Sequence, residues 1–76
     1  MKVVFFRENK EVGSIIYDNG FKTSGEGKRI LQEIDNGELV IANAKQKFTL
    51  KDGDELLKWI PHTIKAAPYF WAKLVE

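Results

Sequence analysis

The chain has 76 residues, 43% of them hydrophobic and 30% charged, and its twelve Lys and Arg against eleven Asp and Glu leave a formal net charge of +1. That composition describes one small soluble domain spanning residues 1–76 and excludes a multidomain enzyme. The near-neutral balance also excludes the strongly basic character that would by itself point to nucleic acid.

There is no Cys, which removes disulfides, thiolate nucleophiles and iron–sulfur ligation. The longest nearly apolar run, Ala66 to Ala72 with Pro68 inside it, is far shorter than the ~20 residues of a spanning helix. Val3 to Phe6 likewise falls short of the about 7 to 15 apolar residues at the centre of a secretory signal. The expectation is a cytoplasmic protein that does not enter a membrane. Folding a chain this small removes only about 60% of its surface from water. Almost every large apolar side chain therefore needs cover, from the fold or from a partner.

Lys2 to Phe6 is β-branched and aromatic and reads as a strand, and the charged cluster Arg7 to Glu11 reads as a solvated turn. Val12 to Tyr17 is a second strand, near enough for an antiparallel hairpin with the first. Asp18-Asn19-Gly20 is a turn in which Asn and Gly accept positive φ, with Phe21 to Thr23 as a short continuation beyond it. Glu26 to Ile34 places Ile30, Leu31 and Ile34 on one helical face and Lys28, Arg29, Gln32 and Glu33 on the other. Thr23 and Glu26 fit a capping box before this amphipathic helix, and Gly37 fits the residue after its end. Gly25 and Gly27 weaken its first turn.

Leu39 to Ala42 and Lys47 to Phe48 predict a further hairpin, joined through residues 43–46. Thr49 or Asp52 then opens a second helix with an apolar stripe of Leu56, Leu57, Ile60 and Ile64. Asp52, Asp54 and Glu55 stand in its first turn, where the helix dipole favours acids. Pro61 predicts an end or kink near Ile60, with His62 to Ala67 as an irregular or short helical continuation, and Pro68 precedes a last strand from Tyr69 to Val75. The order is ββαββαβ. The predicted fold is α+β, a mainly antiparallel sheet of four to five strands with two amphipathic helices on one face.

Strand side chains alternate between faces, and here both faces carry large groups. Val3 and Phe5 oppose Val4 and Phe6, Ile15 and Tyr17 oppose Ile16, and Phe70, Ala72 and Leu74 oppose Tyr69, Trp71 and Val75. Two short helices cover one face only. The second stays partly wet unless Lys stems, loops or a bound macromolecule shield it. Trp71, Tyr69 and Tyr17 are the expected contact residues, and the expected partner is a second copy of the chain, as a homodimer, or another protein.

Reactive chemistry is poorly supplied. The glycine-bearing stretch Asn19 to Lys28 fails as a phosphate cradle, because Lys22 stands where a P-loop needs its first Gly and Arg29 where it needs the hydroxyl that holds magnesium. It reads as a connector. His62 is the only imidazole, an uncommon basis for zinc without Cys. The acids of residues 52–55 lack the spacing of a calcium loop, and no nucleophile elbow surrounds Ser14 or Ser24. No catalytic residue, metal, cofactor or small-molecule ligand is expected, and the protein reads as a non-enzyme.

The alternative function is single-stranded nucleic-acid binding. Lys22, Lys28, Arg29, Lys45, Lys47 and Lys51 gather in mid-chain, and Tyr17, Phe21, Trp59, Tyr69 and Trp71 offer stacking surfaces. Glu26, Glu33, Asp35, Glu38, Asp52, Asp54 and Glu55 are interleaved with those bases. The Gly-aromatic RNA-recognition signature is missing, as are zinc-finger ligands. Protein binding is the preferred reading.

The C-terminal part, Phe48-Thr49-Leu50-Lys51-Asp52-Gly53-Asp54-Glu55-Leu56-Leu57, then Ile60-Pro61 and Tyr69-Phe70-Trp71-Ala72, resembles a pattern in small uncharacterised prokaryotic proteins. The resemblance starts at Phe48, supports the fold reading and implies no activity.

Overall fold

Strand β1 (Lys2–Arg7) and strand β2 (Lys10–Tyr17) form the first hairpin. The coordinates are a computed structural model that describes residues 1–32, 38–41, 44–47 and 53–76, with side chains for 1–31 and 53–76. Only Glu8 and Asn9 turn the chain between β1 and β2, both at positive φ, 53° and 63°. That two-residue geometry matches the twist of paired strands. Most of the charged cluster expected as a turn is therefore strand, with Arg7 opposite Lys10. The register shifts between Phe5 and Phe6, whose partners are Gly13 and Glu11, so that Val12 is the extra residue of a bulge.

Beyond the turn at Asn19 (φ 56°), strand β3 (Phe21–Gly25) pairs with β2 and leads directly into helix α1 (Glu26–Gln32). Thr23 pairs with Ile15 inside β3. It lies within a strand when the helix starts, which corrects the capping box expected of Thr23 and Glu26. Two glycines permit the abrupt junction. Gly25 has φ +51°, and a Cβ on Gly27 would collide with the Ser14 carbonyl oxygen, so only glycine lets α1 lie this close to β2.

Strands β4 (Glu38–Ile41) and β5 (Ala44–Lys47) pair with each other as a separate two-stranded ribbon, a tighter hairpin than predicted. The expectations for Ile34, Gly37, Ala42, Phe48, Thr49 and Asp52 fall outside the described residues.

Helix α2 (Gly53–Thr63) carries Asp54 and Glu55 in its first turn and runs through Pro61 instead of ending at Ile60. The missing N–H of Pro61 removes one ladder bond near the helix end. The ladder resumes where Ile64 N–H donates to the Ile60 carbonyl at 2.9 Å. Ile60 and Ile64 are both buried and hold this last turn on the sheet. Strand β6 (Lys65–Ala66) follows, then a turn with a cis Ala67–Pro68 bond, then strand β7 (Phe70–Val75). β7 starts one residue later than expected, because Tyr69 belongs to the turn.

The main sheet has five strands in the order β3-β2-β1-β7-β6, every neighbouring pair antiparallel. Val3 stands between Ile15 and Leu74, and Phe5 between Gly13 and Ala72. Val3, Phe5, Ile15 and Ala72 form one buried cluster with Ile30 of α1, with Leu56, Leu57 and Ile60 of α2, and with Ile64. A single core shared by both helices puts them on the same face, as the α+β reading requires. No described helix is long and apolar enough to cross a membrane.

Candidate functional site

Residues directly opposite one another on neighbouring strands project to the same side of a sheet. The register therefore defines what lies on the face away from the helices. Near one end, Ile16 and Lys2 stand side by side, flanked by Lys22 on β3 and Val75 on β7. In the middle, Ser14 and Val4 are flanked by Ser24 and Lys73. At the other end, Glu11, Phe6 and Trp71 follow in order, with Lys65 of β6 beside Trp71.

This face is apolar at its centre. Val4 is buried at 5% exposure, whereas Phe6, Ile16 and Trp71 are half-buried and Val75 is 40% exposed. The Phe6 and Trp71 rings stack with centroids 4.4 Å apart and planes 14° from parallel. The Trp71 indole N–H donates to Asn9 Oδ1 at 3.2 Å, which fixes the ring and ties β7 to the turn between β1 and β2. Among the described residues paired on this face are four lysines, Lys2 and Lys22 at one end and Lys65 and Lys73 toward the other, against the one acid Glu11. A chain that is nearly neutral overall thus places an excess of positive charge on one side.

The helix side is organised differently. Glu26, the first residue of α1, accepts from Arg29 Nε at 2.6 Å and from Arg7 Nη1 at 3.2 Å. The Arg7 guanidinium also lies 5.1 Å from the centroid of Phe70, whose ring stacks near Phe5 at 6.1 Å. The Arg29 hydrogen bond, helped by the charges of Arg29 and Arg7 and opposed by desolvation, holds the Glu26 carboxyl below its ordinary value. These contacts brace α1 against the sheet.

The sequence-derived contact residues do not converge. Trp71 lies on the face away from the helices. Tyr69 is in the β6–β7 turn, 74% exposed. Tyr17 is on the helix side, tilted against Phe21 at 4.9 Å and beside Gly53. Of the basic residues named with them whose side chains are described, only Lys22 shares the face of Trp71, and Lys28 and Arg29 belong to α1; the side chains of Lys45 and Lys47 on β5 are not among those described, and Lys51 lies outside the described residues. Trp59 packs at the edge of the core from α2.

Sequence reading missed Phe6, Lys2 and Lys73 as members of the site, although strand alternation carries all three. Lys65 had no comparable signal, because its two-residue strand exists only through its pairing with β7.

Ser14 Oγ and Ser24 Oγ lie 2.9 Å apart and hydrogen-bond each other, while His62 is exposed in the last turn of α2, on the opposite side of the sheet. Among the described residues no three His, Cys, Asp or Glu side chains are grouped to hold a metal ion. What the face away from the helices offers is an aromatic and aliphatic patch rimmed by ammonium groups. Comparison with protein-family models, with curated proteins and with solved structures finds no match for this chain.

Proposed function

We propose that the protein is a non-catalytic binding module that docks a macromolecule on the sheet face away from the helices, with Trp71 and Phe6 at the centre of contact. The observation that carries this reading is the stacked Phe6–Trp71 pair, left half-buried on the side that α1 and α2 do not cover. Aromatic side chains on a partly wet surface are the groups that contribute most when a partner excludes water from them. Tyr69 is 74% exposed in the adjoining turn.

A protein partner, including a second copy, is compatible with an apolar patch of this kind. Chemical denaturation of Trp71→Ala and light scattering of the native chain over a concentration series test the docking reading together. A half-buried stacked ring held for contact costs about 1 to 2 kcal/mol when truncated, whereas a core aromatic costs about 3 to 5. A loss in the core range, or failure to fold, assigns Trp71 to the fold's own stability and overturns the reading. Scattering that rises with concentration and returns to the monomer value in Trp71→Ala supports it with a second copy as partner.

A further inference from the structure

We infer, building on the docking reading above, that the macromolecule bound on this face is single-stranded nucleic acid. Two features of the same surface point there. The first is charge: Lys65 and Lys73 neighbour Trp71, and Lys2 and Lys22 stand at the other end of the same face, so that four strands contribute a lysine, with Glu11 beside Phe6 as the one acid among the described register positions. A ligand fitted to that pattern carries repeated negative charge along its length and crosses several strands. The second is the Phe6–Trp71 stack, fixed through the Trp71 N–H by Asn9. An unpaired base extends such a stack with its π-face, and a backbone running across the strands brings its phosphates to the lysines. A duplex, whose bases already stack on one another, cannot use the aromatic pair without unstacking.

The same charge pattern disfavours the second copy. Two copies joined face to face through this patch would bring both sets of lysines into one interface with only Glu11 of each copy to offset them, and like charges gathered in an interface are costly. Of the mid-chain bases singled out in the sequence, Lys28 and Arg29 lie on α1 and not on this surface. The surface comes from lysines brought together by strand pairing, and Lys22 belongs to both sets.

The test is a titration of the full chain against a fluorescently labelled oligothymidylate of about twelve nucleotides. It is run at about 20 mM and about 200 mM salt, beside a duplex of equal length, polyglutamate and anionic lipid vesicles. Binding to the single strand is expected to weaken about 100- to 1,000-fold over that salt range, as three to four neutralised phosphates require. Trp71→Ala is expected to weaken it by about tenfold or more, and Lys73→Gln to reduce the salt slope by about 0.7. No binding at low salt by a folded native chain overturns the nucleic-acid assignment and leaves the docking reading standing. Equal or tighter binding of the duplex, polyglutamate or the vesicles also overturns it, as does unchanged affinity in a folded Trp71→Ala. If Trp71→Ala fails to fold, the docking reading falls and the nucleic-acid assignment with it, whereas native affinity in the folded double variant Lys22→Gln/Lys73→Gln overturns the nucleic-acid assignment alone.

Discussion

Phe6 and Trp71, 65 positions apart in the sequence, stack on adjacent strands with ring centroids 4.4 Å apart and 14° between planes. The contact lies where β1 and β7 pair, on the side of the sheet that the two helices leave uncovered. Asn9, in the left-handed turn between β1 and β2, accepts from the Trp71 indole N–H, so the first hairpin positions the ring of the last strand.

A double-mutant cycle on Phe6→Ala and Trp71→Ala, read by urea denaturation, is expected to return a coupling energy of about 0.5 to 1.5 kcal/mol. Additive single losses would mean that the two rings do not meet in solution. Asn9→Ala should lower stability by about 0.5 to 1.5 kcal/mol through the same contact.

Gly27→Ala is expected to destabilise the protein even though alanine is the better helix former by about 1 kcal/mol. The new methyl group would meet the Ser14 carbonyl oxygen and the Ile15 side chain, so α1 must move off β2, at a net cost of about 1 to 3 kcal/mol. A raised melting temperature for this variant would show that α1 does not approach β2 as closely as described.

The Glu26 carboxyl, held below its ordinary value first by the Arg29 hydrogen bond and then by the charges of Arg29 and Arg7, makes stability depend on pH. Its folded value lies below its unfolded value. The stabilisation is therefore fully present above the unfolded glutamate value of about 4.3 and is lost as pH falls through the folded value. The native chain should exceed Glu26→Gln by up to about 1 kcal/mol at pH 7, since the arginines are solvent-screened. That margin should close as pH falls through the folded value. Urea curves of both proteins across this range make the comparison, and a margin independent of pH would count against the ion pairs.

Much of the architecture is legible in local pattern. The alternation of Val3, Val4, Phe5 and Phe6 marks β1 and shows that both faces are apolar, and the spacing of Leu56, Leu57, Ile60 and Ile64 marks the buried stripe of α2. Errors arise where a distant contact overrides a local preference. Thr23 looks like a cap but pairs with Ile15. Pro61 looks like a stop, yet the burial of Ile60 and Ile64 carries the helix past it. Gly25 and Gly27 look like weak helix formers, and their value lies in a collision that only the packed structure reveals.

The sequence by itself determined the α+β class, the helix-facing apolar positions, the two-sided character of the sheet and the place of Trp71 on its second face, because each follows from a period of two or of 3.6 residues along one segment. Which segments became neighbours was settled only by the folded sheet: β7 beside β1, Lys65 beside Trp71, and Tyr17 on the opposite side of the sheet from Trp71. Strand order and register join residues far apart in the chain, and no local periodicity encodes them. The aromatic pair and the lysines that share its face therefore come together only in the folded sheet.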